Sequence, residues 1–297
     1  PDKEVYRPGT GSMNQFSNVD ALGGNVFGVL LDYGQNLDVV NLFESDFYKD
    51  YCARLYDYNQ KGYISADAST DTTAVGELVK AGTLMSYTTG GKPGIKAQET
   101  TLTGRDMTIF QTLDDYIGST SVAGMPWTIP ISAQHKEAAM KFLNECYSNA
   151  DVANLLAWGI EGTHYKIGDD GLATYADGVD ASNSGWNHSM GWMMPNQFLT
   201  HVWEGNDPDL WDKMRDFNNN AKVSKASGFS FDSTNVANEI TAVQNVYNEY
   251  QTSVEYGFVD PETGIAEMND KMMAAGLQKI IDEKAAQLAA WQEANKK

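Results

Sequence analysis

Apolar positions recur at helical spacing along several stretches of the chain. Phe47, Tyr48, Tyr51, Cys52, Leu55 and Tyr58 follow Ser45, a good N-cap, and Gly62 stands where such a helix would stop. Asp71 and Thr72 precede a shorter apolar run through Val75, Leu78 and Val79 that ends at Gly82, and residues 83–87 then read as a strand. The turn-rich stretch 88–94, TTGGKPG, lies beyond that strand's carboxyl end, where open α/β sheets meet their ligands.

Further strands are predicted at 107–110 and 127–131. Helices are predicted behind Ser132, with Ala139, Phe142, Leu143, Cys146 and Tyr147, and behind Asp151, through Leu155 and Leu156 to Gly159. After Asp232 the pattern is strongly helical. Val236, Ile240, Val243, Tyr247, Tyr250 and Val254 share one face up to Gly257, and one last helix is predicted from Ile265 to Trp291. Residues 1–26 read as loop and 160–232 as irregular. Strands alternating with helices predict an α/β layer rather than a bundle or a sandwich.

Charge narrows the partners. With 21 Lys+Arg against 40 Asp+Glu, the net charge of -19 presents a repulsive field to a polyanion, so no nucleic acid is expected. No stretch reaches the roughly 18 apolar residues of a membrane span. The sequence opens Pro1-Asp2-Lys3-Glu4 without initiator Met, apolar leader or lipobox Cys, so an export signal is expected upstream. Cys52 and Cys146 sit among apolar residues and are expected as reduced, buried thiols. His135, His164, His188 and His201 lack any metal-ligand spacing, so neither a metal nor another cofactor is expected.

The chain has no GxSxG elbow and no phosphate cradle, and Gly9-Thr10-Gly11 reads as flexible loop. The acidic run from Asp169 to Asp180 does not follow EF-hand spacing and reads as solvated turns. Paired carboxylates for glycoside cleavage stay open, since 40 acidic residues always offer pairs. What stands out is aromatic chemistry. Sugar rings stack their C–H faces on Trp and Tyr while planar Asn and Gln fix their hydroxyls. Trp186, and Trp192 with Asn196 and Gln197, combine both residue types in a Gly-rich stretch, and Trp192 with Asn196 and Gln197 is the strongest candidate. Trp211 and Trp291 lie in helical patterns and read as core.

Residues 78–85 and 129–132, the latter leading into 136–143, resemble elements of extracellular solute-binding proteins of carbohydrate ABC importers. Asn154-Leu155-Leu156, the stretch from Gly159 to Tyr165, Trp192, Asn196 to Leu199, Gly228 to Asp232, Gly257 to Pro261 and the tail from Ala274 to Trp291 are similar, in order, to a lipoprotein branch carrying a C-terminal domain of unknown function. Pro195 departs from the pattern, where Gly is expected. The resemblance implies a type II periplasmic-binding-protein-like α/β fold, represented here mainly by its second, C-terminal lobe with a crossing segment and long C-terminal helices. It divides the chain into 1–112 in the second lobe, 113–157 as a crossing segment of the first lobe, and 158–297 back in the second lobe with a helical subdomain. Hinge strands are expected near 108–118 and 155–165.

It further implies a monomeric, lipid-anchored protein outside the membrane, without catalysis. Such a protein closes on an oligosaccharide between two lobes and delivers it to an ABC permease. By position, Tyr87 and Lys92 in the 88–94 loop region, the segment around Trp192, and Trp127 are expected at the ligand. Two other readings use the same aromatic residues, a carbohydrate-active enzyme with a carboxylate pair and a protein-interaction or sensory module.

Overall fold

A computed structural model describes residues 4–8, 18–121, 126–186 and 193–296. The chain divides into two compact units, one formed by Pro1–Val122 and Asn218–Lys297 and the other by Ala123–Phe217. No helix among the described residues is long and apolar enough to cross a membrane.

In the first unit, α1 (Asp46–Gln60) starts as the spacing predicts, with Ser45 Oγ accepting from Tyr48 N at 3.2 Å. Its buried face, Tyr48, Cys52 and Leu55, meets the helices at the other end of the sequence. Those are α7 (Ala237–Glu255) and α8 (Pro261–Ala274), on both of which α9 (Leu277–Ala294) packs in turn. At the centre, Phe43 packs on Tyr48 with ring centroids 5.1 Å apart and on Tyr247 at 5.5 Å. Tyr48 and Tyr247 both donate to the buried Glu255 carboxylate, at 3.2 and 2.7 Å. Burial next to that carboxylate pushes both phenols up, so they stay protonated donors.

The predicted last helix is two helices. Gly276, at φ 109°, breaks it, yet Met268 and Met272 of α8 and Leu277, Ile280 and Ile281 of α9 still face one core, with Leu288 in a second cluster beside Leu22 and Leu30, so the sequence shows one uninterrupted stripe. The short helix before Gly82 is also displaced from its expected cap. α2 (Val75–Ala81) begins after Ala74 without a side-chain cap, because Asp71 instead accepts from Arg7 and from Thr73 N.

Residues predicted as amino-terminal loop include a strand. β1 (Glu4–Arg7) pairs in parallel with β2 (Leu84–Tyr87), in register from Glu4 opposite Leu84 to Arg7 opposite Tyr87. Buried Arg7 secures it, bridging Glu4 at 2.7 Å and Asp71 at 2.8 Å. The strand predicted at 107–110 does not form. Phe110 is 82% exposed, since an apolar extended segment becomes a strand only where a neighbour supplies the ladder. Beyond it β3 (Tyr116–Ile117) makes a two-residue parallel pair with a strand at Lys222–Val223.

The second unit holds α4 (Lys136–Ser148), α5 (Ala150–Trp158), a hairpin of β4 (Tyr165–Ile167) and β5 (Ala173–Tyr175), and most of α6 (Leu210–Asn220), while α3 (Ile95–Thr103) belongs to the first. Ser132 does not cap α4, which begins after His135, and α5 is capped by Asn149 with Asp151 in its first turn. The core is aromatic. Trp158 packs on Trp203 at 4.9 Å and donates to His201 O at 3.1 Å, above Tyr165 and Ala173. The strand predicted at 127–131 does not form either, and Ile131 is 92% exposed. Both cysteines are free and buried, as expected.

Candidate functional site

In the first unit, β2 delivers Tyr87 to the start of the 88–94 loop. Its hydroxyl donates to Glu99 of α3, a buried carboxylate that also accepts from Gln98 at 3.2 Å. Burial and that carboxylate push the phenol up, so Tyr87 acts as a strut between strand and helix. Lys92 is half-buried, and its carbonyl accepts from Ile95 N at 3.1 Å where α3 begins. A Cβ built on Gly90 or Gly91 meets no atom within 4 Å, which leaves the loop open to water.

In the second unit, Trp127, 41% exposed, donates its indole N–H to Met193 O at 2.9 Å. Three residues on, Asn196 caps the short 3-10 turn Gln197–Leu199 through Phe198 N at 3.2 Å and donates to Tyr147 O at 2.8 Å. The structure therefore brings Trp127 and the 193–197 segment together. It also gives both polar ends of the Asn196 amide a structural duty that its sequence neighbourhood does not disclose. Gln197 is half-buried, with its carbonyl accepting from Thr200 N at 3.0 Å. Trp192 lies outside the described residues.

Trp186 stands on different elements. It is 39% exposed and stacks on His164, with ring centroids 6.0 Å apart and planes 30° from parallel. Nothing local in the sequence marks His164 as the ring partner of Trp186, because the two are brought together only by the fold. The Asp169–Asp180 run is used in turns, Asp170 accepting from Leu172 N and Asp180 from Ser182 N. Trp211 donates to Thr200 O at 2.7 Å, and Trp291 packs edge-on against Phe229, so both serve packing. Chemically, Trp127 and Trp186 are the partly exposed indoles of the second unit's candidate residues.

Residues 225–293 match a family described as a domain of unknown function, DUF3502. A protein of Streptococcus pneumoniae serotype 4, named carbohydrate ABC transporter substrate-binding protein, is 27% identical over 256 residues, covering 84% of this chain and 51% of that protein. This chain thus spans about half the length of that curated relative. The crystal structure of the N-glycan transport solute binding protein NgtS from Streptococcus pneumoniae superposes with a TM-score of 0.84 at 23% identity, over 100% of this chain and 65% of that one. Its complex with Man1GlcNAc gives 0.76 at 23% identity, over 99% of this chain and 65% of that one. The complex with Man5GlcNAc gives 0.72 at 22% identity, over 100% and 65%. Along its whole length, this chain has the fold of a solute-binding protein.

Proposed function

We propose that this chain is the larger part of an extracytoplasmic substrate-binding protein that captures a glycan and hands it to an ABC permease without turning it over. One observation carries the reading: the homology to a carbohydrate ABC transporter substrate-binding protein across 84% of the chain. The partly exposed Trp127 and Trp186 are the side chains that suit it, since an indole can stack on the C–H face of a sugar. The resemblance assigns ligand contacts also to Trp192, Asn196 and Gln197 in the second unit and to Tyr87 and Lys92 in the first, although the Asn196 amide is held by Tyr147 and Phe198 and the Tyr87 hydroxyl by Glu99. A lipid anchor and a monomeric state complete the assignment.

Probes follow from the solved neighbours. Man1GlcNAc and Man5GlcNAc at a hundredfold excess over Kd should stabilise the complete polypeptide by about 2.7 kcal/mol, raising its Tm, and should be recovered uncleaved. A cleaved glycan would make the protein an enzyme. No shift with these or a wider oligosaccharide panel would remove the carbohydrate reading altogether.

The second unit leaves an apolar surface open. Cys146 is the one buried residue of α4, whose Met140 is 56% exposed beside Ile129 and Ile131 in an open groove. An amphipathic helix packed on so little, next to an extended apolar segment without a ladder partner, is half of a sheet–helix layer. We assign the other half to the portion of the relatives that this chain does not span, with 127–131 as a strand of the first lobe's sheet. Ile131→Asp should then lower the stability of the complete protein by about 2–4 kcal/mol, as burial of a charge at a core position requires. An unchanged unfolding midpoint would leave Ile131 in water and end the assignment.

A further inference from the structure

The Trp186 ring is set in place by an arrangement that has no purpose in the packing of the second unit's core. Where α5 ends, Gly159 adopts φ 84° and ψ -146°, a conformation that glycine alone visits readily. The chain then closes a small ring. Ile160 N donates to His164 Nδ1 at 2.9 Å, and His164 N donates back to Ile160 O at 2.9 Å. The first bond ties the imidazole ring to the loop and the second closes the loop's main chain beneath it.

Both rings rest on the bare side of Gly159. A Cβ there would lie 2.5 Å from His164 Nδ1 and 3.1 Å from Trp186 Cγ. The Trp186 backbone is pinned separately, its N–H donating to Ser184 Oγ at 3.2 Å while that hydroxyl donates to Trp186 O at 2.6 Å. The imidazole backs the indole, and the indole is still 39% exposed. His164 leads directly into β4, so the pair is founded on the hairpin and on the end of α5 rather than on a free loop.

We propose that Trp186 is a stacking platform for a pyranose ring and that His164, seated on Gly159, is the positioning residue that holds the indole ready. The inference rests on the carbohydrate reading above and adds to it a residue, a mechanism and a place. A platform held in one orientation before the sugar arrives spares the ordering cost of a mobile side chain, which is where His164 contributes affinity without touching the ligand. Apolar ring faces built this way discriminate sugars by the run of axial C–H groups on one face, so the platform selects ring stereochemistry more than linkage.

The test uses the complete polypeptide labelled with 5-fluorotryptophan and Man5GlcNAc as probe. Trp186→Phe identifies the Trp186 resonance, which should shift on adding the glycan. Trp186→Ala should weaken binding by about tenfold or more, and His164→Ala by a comparable factor. Before any glycan is added, His164→Ala should also move and broaden the Trp186 resonance while leaving those of Trp158 and Trp203 in place. His164→Phe, which restores a flat ring behind the indole, should recover most of the affinity. In the Trp186→Ala background His164→Ala should cost nothing more, because its effect passes through the indole. Additive losses, or a Trp186→Ala variant that binds as tightly as the parent, would overturn the proposal while the parent's binding kept the carbohydrate reading intact. A parent protein that binds neither this glycan nor any of the oligosaccharide panel would overturn both.

Discussion

Replacing Gly257 by alanine should destabilise the first unit by about 2–5 kcal/mol. Gly257 closes α7 at φ 70°, and a Cβ there would lie 2.3 Å from Leu55 O, 2.4 Å from Leu55 C and 2.5 Å from Tyr56 N. The obstruction is the backbone of α1, which cannot rotate aside as a side chain would. Left-handed geometry alone costs an L-residue roughly 1–2 kcal/mol, and forcing two packed helices apart adds about 1–3 kcal/mol. Gly104→Ala is the matched control, since Gly104 has φ 64° in the same unit and open space around its would-be Cβ. Urea unfolding followed by near-ultraviolet dichroism measures both. Equal losses at the two glycines would mean that the close approach of α1 to Gly257 contributes nothing.

Stability should also climb with pH through a single buried lysine. Lys284 of α9 is fully buried, and its ammonium donates to Ala21 O at 3.2 Å, Asn25 O at 2.7 Å and Gly28 O at 2.9 Å. It also lies 5.4 Å from the centre of the Phe231 ring. Burial pulls its pKa from the ordinary 10.5 down to about 7, with Asp20 opposing the shift. A base whose folded pKa is depressed is protonated in the unfolded chain and neutral in the folded one between those two values. Stability therefore rises with pH across that window, by about 1.4 kcal/mol per unit, and is at its lower level below pH 7, where both states carry the charge.

The rise ends near pH 10, where tyrosines ionise in the unfolded chain while Tyr48, Tyr51 and Tyr247 stay protonated in the folded one. Lys284→Met keeps the volume and removes the titration. Its stability difference from the parent should change by roughly 3–4 kcal/mol between about pH 7 and pH 10. The same variant leaves three carbonyls without a donor, which lowers the whole curve without altering its slope. Parallel curves for parent and variant would show that the lysine keeps its proton throughout.

Legibility followed the range of the forces. The α1 helix and the apolar face of α7 were readable from spacing and caps because they depend on neighbours three and four positions away. The 84–87 strand was readable too, yet its partner β1 was not, since pairing across some eighty positions leaves no local mark. The strands predicted at 107–110 and 127–131 carry the right side chains, and in this chain no ladder forms there. At the candidate site, sequence located the aromatic and amide residues around Trp127, Trp186 and Asn196. It could not tell that Asn196 would be occupied by Tyr147 and Phe198, or that His164 would stand behind Trp186.

What the sequence by itself determined was an acidic α/β chain with a long helical end and a cluster of tryptophans beside amide residues. Those follow from composition, period and motif order, and each is a property of residue types or of short windows. Only the tertiary structure decided which of these side chains are occupied and which are presented. It broke the last helix at Gly276, committed the Tyr87 hydroxyl to Glu99, and stacked Trp186 on His164 while leaving the residue 39% exposed. Those outcomes depend on which distant groups meet, and a hydrogen bond or a ring contact between remote residues is settled by the packing of whole elements rather than by their sequence.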